Sequence, residues 1–525
     1  MKLYQNRKFL IGAIVSSILF TSLMVYRVGF YSGTFKSSAS EKVDWSNQSL
    51  KSDESWMNIF QNFKKIGFSH RILENMGSSY KIHEKTVMKI NTMGMVQDIQ
   101  VESKSTTDID FAIKKFDFNI TSGSFNFSVK GEIKENTLYV QSGSNNSSFD
   151  NANSNNANKN NKPLEIALEN RPYLTSGIIQ ATLASGLKQN QEMVLFIFDP
   201  STLGQAPATV KMEEREDITI DGKPINAQRV SLSFKGAKQF AWVDNEGKVV
   251  KEEGLLGITL LRTDRKGAIE GTPIQDSDDL TNLVSVKSNK ILNNPFNLKD
   301  ITVKISGLDD LSNFYTSLNS GRQVLAESKD KGAKSGDNGS KSWVLKIEKE
   351  SLEGLPQEIT SEDLAQIDNK FKQPDAFIQS DDYKIRSFAF KTIQPSDLPL
   401  EKVKKLVAWI QKNIKRQPVV SLPNALSTLE NRMGDCNEHA ALLAAFCRAV
   451  GIPAKIEAGL VYLNGSFYYH AWNSLFVGRW ITVDALFNQI PADVTHIAFS
   501  SGSQDMQLDI VGLIGRVQIE ILNSN

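Results

Sequence analysis

The feature that most constrains the fold is a stretch of fifteen residues, Cys436 to Val450, that begins with a cysteine and contains neither glycine nor proline. Gly451 and Pro453 follow it, as expected where a helix ends. The abundance of alanine and leucine predicts a buried helix with Cys436 in its first turn. Unpaired N–H groups and the positive end of the helix dipole favour a thiolate there. The same N–H groups can receive a developing oxyanion.

Two further residues with catalytic chemistry follow in a predicted hairpin. Residues 467–476 are aromatic and β-prone, and residues 480–484 predict a return strand after a glycine turn. His470 and Asp484 lie at nearly equal distances from this turn. We therefore expect them to be neighbours on one face, with Nδ1 of the imidazole in reach of the carboxylate. Together with Cys436 they have the residue types and order of a thiol-nucleophile triad.

Several separated motifs surround these three residues. They are Gly434-Asp435-Cys436, Glu438-His439-Ala440, Arg448-Ala449, Gly451-Ile452-Pro453-Ala454, Gly459, His470-Ala471-Trp472, Trp480, Asp484 and the run from Gln489 to Ile497. In this order, over about residues 375 to 505, the chain resembles the transglutaminase-like superfamily of papain-like cysteine enzymes, and within it a bacterial branch with a long N-terminal extension.

The resemblance implies a fold and a set of roles. The fold is a helix carrying the cysteine, packed on an antiparallel sheet. Cys436 would be the nucleophile, His470 the base and Asp484 the acid that orients the base, acting on amides by transfer, hydrolysis or the reverse reaction. The substrate is not implied, because members include cross-linking enzymes, peptidases, deglycosylating enzymes and inactive versions.

The same residues also allow a metal site or a disulfide to be considered. Cys436 and His439 have a Cys-x-x-His spacing, and His470 and His496 could join them on zinc, although a second tight ligand pair is absent. His439 is otherwise expected to pack or to contact the groups that surround the thiol. His496 is expected to pack or to hydrogen-bond locally, with lining of the cleft as the alternative. Cys436 and Cys447 are separated by about 16 Å of helix rise, whereas a disulfide needs Cα atoms about 6 Å apart. We expect two free thiols and neither a metal nor another cofactor.

The N-terminus predicts where this chemistry takes place. Lys2, Arg7 and Lys8 precede eighteen uncharged residues, 9–26, and Arg27 closes the run. At about 1.5 Å per residue the run nearly spans a hydrocarbon core, and the charge asymmetry places the N-terminus in the cytoplasm. No small-residue cleavage site follows, which favours an uncleaved signal anchor over a removed signal peptide. The prediction is a single-pass inner-membrane protein with its catalytic domain in the periplasm.

A β-rich region lies between the predicted anchor and the helix of Cys436. Residues 125–129 and 230–234 alternate as half-buried strands, and residues 172–187 predict an inserted helix. An Asn- and Ser-rich stretch near 142–162 predicts a disordered insertion. We expect an α+β chain with a cytoplasmic tip and transmembrane anchor at 1–30, a β-rich extracytoplasmic domain at 45–350 and a transglutaminase-like domain at 360–525.

Charge and motifs together limit the function. The net charge is +1, and no basic run is interleaved with aromatic residues, so nothing favours nucleic acid as a partner. We expect a membrane-anchored cysteine enzyme that acts on peptide or carboxamide bonds through a thioester. Its expected substrate is a peptide or protein, such as a cell-envelope protein or a peptidoglycan peptide. The alternative is a catalytically silent binding or scaffolding module of the envelope, which an occluded cleft over Cys436 would favour.

Overall fold

The protein consists of two compact units that divide between Leu280 and Thr281. The structure is a computed structural model. It describes residues 50–92, 95–123, 125–144, 164–200, 203–234, 237–271, 273–308, 310–327, 341–417, 424–502, 510 and 512–525.

The first unit is built from fifteen strands and two α-helices in these residues. The strands are β1 (Asp53–Gln61), β2 (Lys64–Asn75), β3 (Tyr80–Thr92), β4 (Met95–Thr107), β5 (Ile113–Ser122), β6 (Phe125–Lys134), β7 (Thr137–Ser144), β8 (Leu164–Ala167), β9 (Pro172–Tyr173), β10 (Glu192–Asp199), β11 (Gly204–Ile220), β12 (Lys223–Phe234), β13 (Ala237–Val243), β14 (Val249–Glu253) and β15 (Ile258–Thr263). The helices are α1 (Thr175–Ala184) and α2 (Arg265–Ile269), and a 3₁₀ turn covers Leu255–Gly257.

All fifteen strands belong to one sheet. Its order runs from β8 down to β1, then from β15 down to β9, so each pair of neighbouring strands in the sheet is also adjacent in sequence, with the exception of β1 and β15. On β3 the buried residues Tyr80, Ile82, Met88 and Ile90 have the even spacing that places side chains on one face of a strand. The strands predicted at 125–129 and 230–234 and the helix predicted within 172–187 are confirmed as β6, β12 and α1.

The second unit carries the remaining elements. Its helices are α3 (Leu280–Val284), which begins at the division, α4 (Tyr315–Leu318), α5 (Ser361–Ala365), α6 (Tyr383–Thr392), α7 (Pro399–Asn413), α8 (Ala425–Asn431) and α9 (Cys436–Ala449). Its strands are β16 (Val286–Lys287), β17 (Asp300–Ser306), β18 (Gln323–Glu327), β19 (Trp343–Glu348), β20 (Lys415–Arg416), β21 (Met433–Gly434), β22 (Ala454–Leu463), β23 (Ser466–Phe476), β24 (Trp480–Val483), β25 (Ile497–Gly502) and β26 (Gln518–Ser524). Short 3₁₀ turns cover Pro295–Asn297, Ser312–Phe314 and Asn369–Phe371.

Helix α9 is buried along its whole length and is fixed at its start. The Asp435 side chain accepts a hydrogen bond from the Asn437 N–H at 3.0 Å, and the Glu438 carboxylate accepts one from the Asp435 N–H at 2.9 Å. The helix packs on β22 and β23 and is flanked by α6, α7 and α8. Asn473 of β23 donates to the Ala440 carbonyl at 3.0 Å. The cap and this contact together set the start of α9 against β23.

The sheet beneath α9 is antiparallel, with the order β16-β23-β22-β25 and with β24 paired to β23. The helix and the hairpin predicted from the sequence are therefore confirmed. Both depend on short-range pattern, an unbroken apolar run in one case and two β-prone segments around a glycine turn in the other.

A second sheet in this unit changes the expected domain boundary. Its order is β18-β19-β17-β26, and its buried face includes Val303, Ile305, Leu345 and Ile519. From the sequence, β17, β18 and β19 are expected to belong to the β-rich domain at 45–350. The structure groups residues 281–350 with the C-terminal unit instead, because β26 pairs with Ile301 to Ser306 of β17.

Two sequence predictions fall outside the described residues. These are the membrane anchor at 9–26 and most of the Asn- and Ser-rich insertion, from 145 to 162. Among the residues that the structure describes, no helix combines the length and the apolar character that a membrane crossing needs.

Gly459 of β22 provides a test of the close approach between β22 and β25. A Cβ atom at this position would lie 1.9 Å from the Ile497 carbonyl oxygen and 3.0 Å from the Phe499 nitrogen. Gly459→Ala is therefore expected to lower the free energy of unfolding by about 1–3 kcal/mol or more, since backbone has to move to admit the methyl group. Chemical denaturation of the full chain measures this. Glu520→Ala on the exposed face of β26 is the control, and equal losses for the two variants would contradict the packing.

Candidate active site

Cys436 is the first residue of α9, and its side chain is 0% exposed. Its sulfur lies against β23, where it accepts a hydrogen bond from the Ala471 backbone N–H. Ala471 directly follows His470 in the strand. The thiol is thus held beside the position that carries the imidazole.

The surroundings of Cys436 keep its thiol protonated. Burial raises the pKa of Cys436 well above its ordinary value, and the carboxylates of Asp435, Glu438 and Asp484 raise it further. The Ala471 N–H opposes these effects and does not overcome them. The expectation that the helix N-terminus favours a thiolate therefore fails in this structure, because desolvation and the two acids that cap the helix outweigh it.

The register of the β23–β24 hairpin brings His470 and Asp484 together. Asn473 pairs with Val483, so Asp484 follows the ladder and lies diagonal to His470 on the same face. Nε2 of the imidazole lies 2.6 Å from Oδ2 of the carboxylate. From the sequence this contact is expected through Nδ1, but in the structure it is made through Nε2. This choice leaves Nδ1 for another partner.

The remaining nitrogen of His470 is suited to accept a proton. Nδ1 is buried and makes no hydrogen bond. Since the carboxylate of Asp484 accepts from Nε2–H, the neutral ring carries its lone pair on Nδ1. Burial lowers the pKa of His470 although Asp484 acts to raise it, so the ring is neutral at neutral pH. A neutral imidazole with a free lone pair is the state that general-base catalysis requires.

Asp484 is the point where the hydrogen bonds of the site converge. Its Oδ2 accepts from His470 and from Nε2 of His496, the latter at 3.0 Å, and its Oδ1 accepts from the Phe487 N–H at 2.9 Å. Burial alone would raise the pKa of Asp484, but the two histidines hold it far below its usual range. The carboxylate is therefore ionised although it is only 1% exposed.

His496 hydrogen-bonds locally, as the sequence predicts, and it also reaches the Asp484 carboxylate. Its Nδ1 lies 3.2 Å from the Asp493 carbonyl oxygen and 3.3 Å from Oδ1 of the same residue. Burial alone would lower its pKa, but Asp493 and Asp484 raise the pKa of His496 to about 9. The sequence signal that could have found it is the acid three residues earlier, together with the family-like run from Gln489 to Ile497.

The same cluster has the composition of a metal site. The donor atoms of His470, Asp484 and His496 lie within 4.8 Å of one another, and a set of two histidines and one carboxylate could bind a divalent ion. Ligands of one zinc ion at about 2.0–2.2 Å stand roughly 3.3 Å from each other. The 2.6 Å contact between His470 and Asp484 is too short for that and fits a charge-assisted hydrogen bond. We therefore describe the cluster as a set of hydrogen-bonded side chains and not as a metal site.

His439 and Cys447 occupy other positions on α9. Nδ1 of His439 donates to the Asp435 carbonyl oxygen at 2.6 Å, and burial lowers the pKa of His439 to about 4, so it is a neutral ring. Cys447 is buried, and burial raises the pKa of its thiol well above the ordinary value. Neither cysteine is in a disulfide, as expected.

Arg322, just before β18, holds the loop that carries His496. Its guanidinium donates to the carbonyl oxygens of Ala492 at 2.5 Å, Asp493 at 2.8 Å and His496 at 3.3 Å. The arginine side chain is only 5% exposed, and its guanidinium lies 3.5 Å from the carboxylate of Glu350. A buried cation bonded to these carbonyl oxygens fixes the backbone of the loop that carries Asp493 and His496.

Two neighbours of Arg322 complete the support. The Glu350 carboxylate accepts from the Thr482 N–H at 2.9 Å and from the Thr482 hydroxyl, and so holds β24 just before Asp484. The Gln323 side chain accepts from the Ala498 N–H at 2.8 Å and donates to the Ala498 carbonyl at 3.0 Å. The second sheet thus fixes the chain on both sides of the Asp484 and His496 segment.

Comparison with known proteins identifies the domain that contains this site. Residues 386–485 match the model of the transglutaminase-like superfamily. The match includes Cys436, His470 and Asp484 and ends before His496. The chain therefore carries a transglutaminase-like domain in its C-terminal part, which follows a large β-rich region in the sequence.

Two solved structures resemble parts of the chain more distantly. A proposed cysteine protease from Cytophaga hutchinsonii is 21% identical, with a TM-score of 0.26, over 43% of this chain and 87% of that one. A DUF1849 domain protein from Brucella abortus is 10% identical, with a TM-score of 0.30, over 41% of this chain and 97% of that one. No curated protein matches the chain.

Arg322 gives a direct test of the support from the second sheet. Arg322→Met removes the donors to three carbonyl oxygens and leaves Glu350 without its buried partner, so the free energy of unfolding is expected to fall by about 3–5 kcal/mol. Denaturant unfolding of the full chain measures the loss.

Arg479→Met is the matched control for this experiment. Arg479 also donates to two carbonyl oxygens, those of Ser351 and Glu353, but it is exposed. Its loss is expected to change the free energy of unfolding by about 0.5 kcal/mol or less. Similar losses for the two arginines would show that burial of Arg322 contributes nothing.

Proposed function

We propose that the C-terminal domain is a cysteine enzyme that attacks peptide or carboxamide carbonyls, with Cys436 as nucleophile, His470 as base and Asp484 as the residue that orients the base. The observation that carries the proposal is the state of His470. Its Nε2 is fixed by Asp484, its Nδ1 is buried without a partner, and the next residue contacts the Cys436 sulfur. The match to a superfamily that includes cysteine enzymes agrees with this reaction class.

The reaction begins with a neutral pair. Nδ1 of His470 takes the proton of the Cys436 thiol as the sulfur bonds to the carbonyl carbon. Backbone N–H groups at the start of α9, including that of Cys436, would meet the tetrahedral oxyanion. Collapse breaks the C–N bond, and the imidazolium returns its proton to the leaving amine. A thioester remains on Cys436.

The second half of the reaction regenerates the thiol. Water or an amine attacks the thioester while His470 accepts its proton, and the proton then passes to the departing sulfur. Hydrolysis results with water and transamidation with an amine. Throughout, Asp484 stabilises the imidazolium form of His470 and keeps Nε2–H directed away from the thiol.

A second function remains a candidate because of one observation, the complete burial of Cys436. A domain that keeps the triad but admits no carbonyl to the sulfur would act as a binding or scaffolding module. The two functions differ in whether His470 accelerates chemistry at Cys436 in the folded protein. This difference can be measured without knowing the substrate.

Alkylation by iodoacetamide, followed by intact mass, provides that test. In the enzyme, Cys436 is expected to be labelled in the native chain, not at all in Cys436→Ala, and about 10²-fold more slowly in His470→Ala, where the base is missing. Asp484→Asn is expected to slow labelling less severely. Cys447→Ala is the matched control and should label like the unaltered chain. Labelling that begins only in denaturant, or that is unaffected by His470→Ala, would support the silent module.

The pH dependence of this labelling follows from the state of His470. Because its pKa is held below the ordinary 6.5, the ring remains an unprotonated base to lower pH than a free imidazole would. The difference in rate between the unaltered chain and His470→Ala should therefore persist below pH 6.5. A difference that already disappears above pH 6.5 would contradict this protonation state.

We also propose that the enzyme is anchored in the inner membrane by residues 9–26, with the catalytic domain in the periplasm, and that it acts on envelope proteins or peptidoglycan peptides. The basic N-terminus and the uncharged run that follows support this location. Removal of residues 1–30 is expected to move the protein from the membrane fraction to the cytosol. Recovery of the full chain in a soluble fraction after salt washing would contradict it.

A further inference from the structure

The segment after β24 contains a second histidine whose contacts the proposed triad does not use. His496 is buried completely, and both of its ring nitrogens face oxygen atoms that can only accept hydrogen bonds. Nδ1 faces the carbonyl oxygen and carboxylate of Asp493, and Nε2 faces the carboxylate of Asp484. A neutral imidazole has one N–H and cannot satisfy both sides. The geometry therefore requires a doubly protonated, cationic ring.

We propose that His496 is a positioning residue of the active site, an imidazolium held between Asp493 and Asp484 that fixes the Asp484 carboxylate and keeps His470 unprotonated. The proposal rests on the role of His470 as a base and names a residue that the triad does not include. The side chains of the cluster then form a row with alternating charges, and two neutral reacting groups stand at its end. Asp493 is negative, His496 positive and Asp484 negative, whereas His470 and the Cys436 thiol are neutral.

The effect of His496 on His470 is electrostatic and geometric. Both imidazoles use the same oxygen, Oδ2 of Asp484, at 3.0 Å and 2.6 Å, and their ring centroids are 5.6 Å apart. A positive ring at that distance disfavours a second positive charge on His470, and it also compensates part of the charge of Asp484 that would otherwise favour one. The aromatic ring of Phe487 stacks on His470 at 4.8 Å and helps to exclude water from the pair.

Other charged groups that face this cluster come from several elements. Arg322 donates to the His496 carbonyl from the second sheet, and Arg416 of β20 interacts electrostatically with Asp484. His439 of α9 lies in the field of Asp484 and is a neutral ring at neutral pH. The nearest acids to His496 remain Asp493 and Asp484, and together they raise the pKa of His496 to about 9.

The sign of the pH effect follows from this shift. The ordinary pKa of His496 is 6.5 and its folded value is about 9. The stabilisation from its positive form is therefore fully present below pH 6.5 and is lost as pH rises through about 9. Above that range His496 is neutral and is no longer a charged partner of Asp484. His470 is then less firmly held and more easily protonated.

Histidine titration by NMR tests the proposal on the full chain. The sequence has five histidines, so a sample labelled at histidine carbon and nitrogen can be assigned by single His→Gln variants. We expect the His496 signals to titrate near pH 9 and to move to lower pH in Asp493→Asn. In His496→Gln we expect the midpoint of His470 to rise, because a positive neighbour is gone and Asp484 acts on His470 alone. His83→Gln, in the first unit, is the control and should leave both midpoints unchanged.

Each outcome decides the proposal. A His496 midpoint at or below 6.5, or a His470 midpoint that stays the same in His496→Gln, overturns it. If His496→Gln does not fold, Asp493→Asn and the titration of the unaltered chain still decide, since neither removes the ring. A stoichiometric divalent metal in the purified protein that is lost in His496→Gln would also overturn it, in favour of a metal centre.

A second readout separates this inference from the proposed function. The His470-dependent rate of Cys436 alkylation should have its acid limb at higher pH in His496→Gln than in the unaltered chain. The comparison uses only the part of the rate that depends on His470, which a chain that has lost its structure would not show. If alkylation never depends on His470, the proposed function fails while the titrations remain valid. If alkylation depends on His470 with an unchanged limb in His496→Gln, the function stands and the role of His496 fails.

Discussion

The Asp484 carboxylate is the group on which the rest of the C-terminal unit depends. An ionised carboxylate in the protein interior costs several kcal/mol unless donors replace the lost water. Here three donors do so, from His470, His496 and the Phe487 backbone. One donor comes from β23 and two from the segment that follows β24, so the hairpin and the loop must both be in place before the charge can be buried. The second sheet is needed for the same reason, because Arg322 and Glu350 hold that loop and that strand.

The distribution of charge sets the chemical state of the site. Burial opposes ions on Cys436 and His470, whereas hydrogen bonds at both ends permit them on Asp484 and His496. The charged residues, Asp484 and His496, are thus distinct from the reacting pair. Cys436 is a neutral thiol and His470 a neutral base. In such an arrangement the charge separation of the reaction arises only when the sulfur gives up its proton. The ordered carboxylate is already in position to stabilise it.

The parts of this structure that could be predicted from sequence are those with local causes. Helix α9 follows from an unbroken apolar run, and the contact between His470 and Asp484 follows from the symmetry of a hairpin about its turn. The nitrogen that makes the contact could not be predicted, because ring orientation depends on side-chain packing. The protonated thiol was also missed, since the gain at a helix N-terminus is local whereas the larger cost of burial is set by the whole fold.

The charge of His496, the role of Arg322 and the domain boundary could not be predicted for a different reason. The charge of His496 depends on two acids brought together by a loop, and Arg322 reaches carbonyl oxygens 170 or more residues away in sequence. Strands β17 to β19 carry ordinary β-strand patterns, which do not identify their partner. That partner is β26, and its pairing with β17, together with the pairing of β16 with β23, places residues 281–350 in the C-terminal unit.

The pairing of β17 with β26 also determines the order in which the unit can form. Ser306 and Gln518 meet across 212 residues, so this contact closes one of the longest loops in the chain and is expected to form late in folding. The α9 helix and its hairpin are local and can form early. Until that contact forms, the edge of β17 that later pairs with β26 is open. An exposed strand edge of that kind is prone to pair with other chains and so favours aggregation.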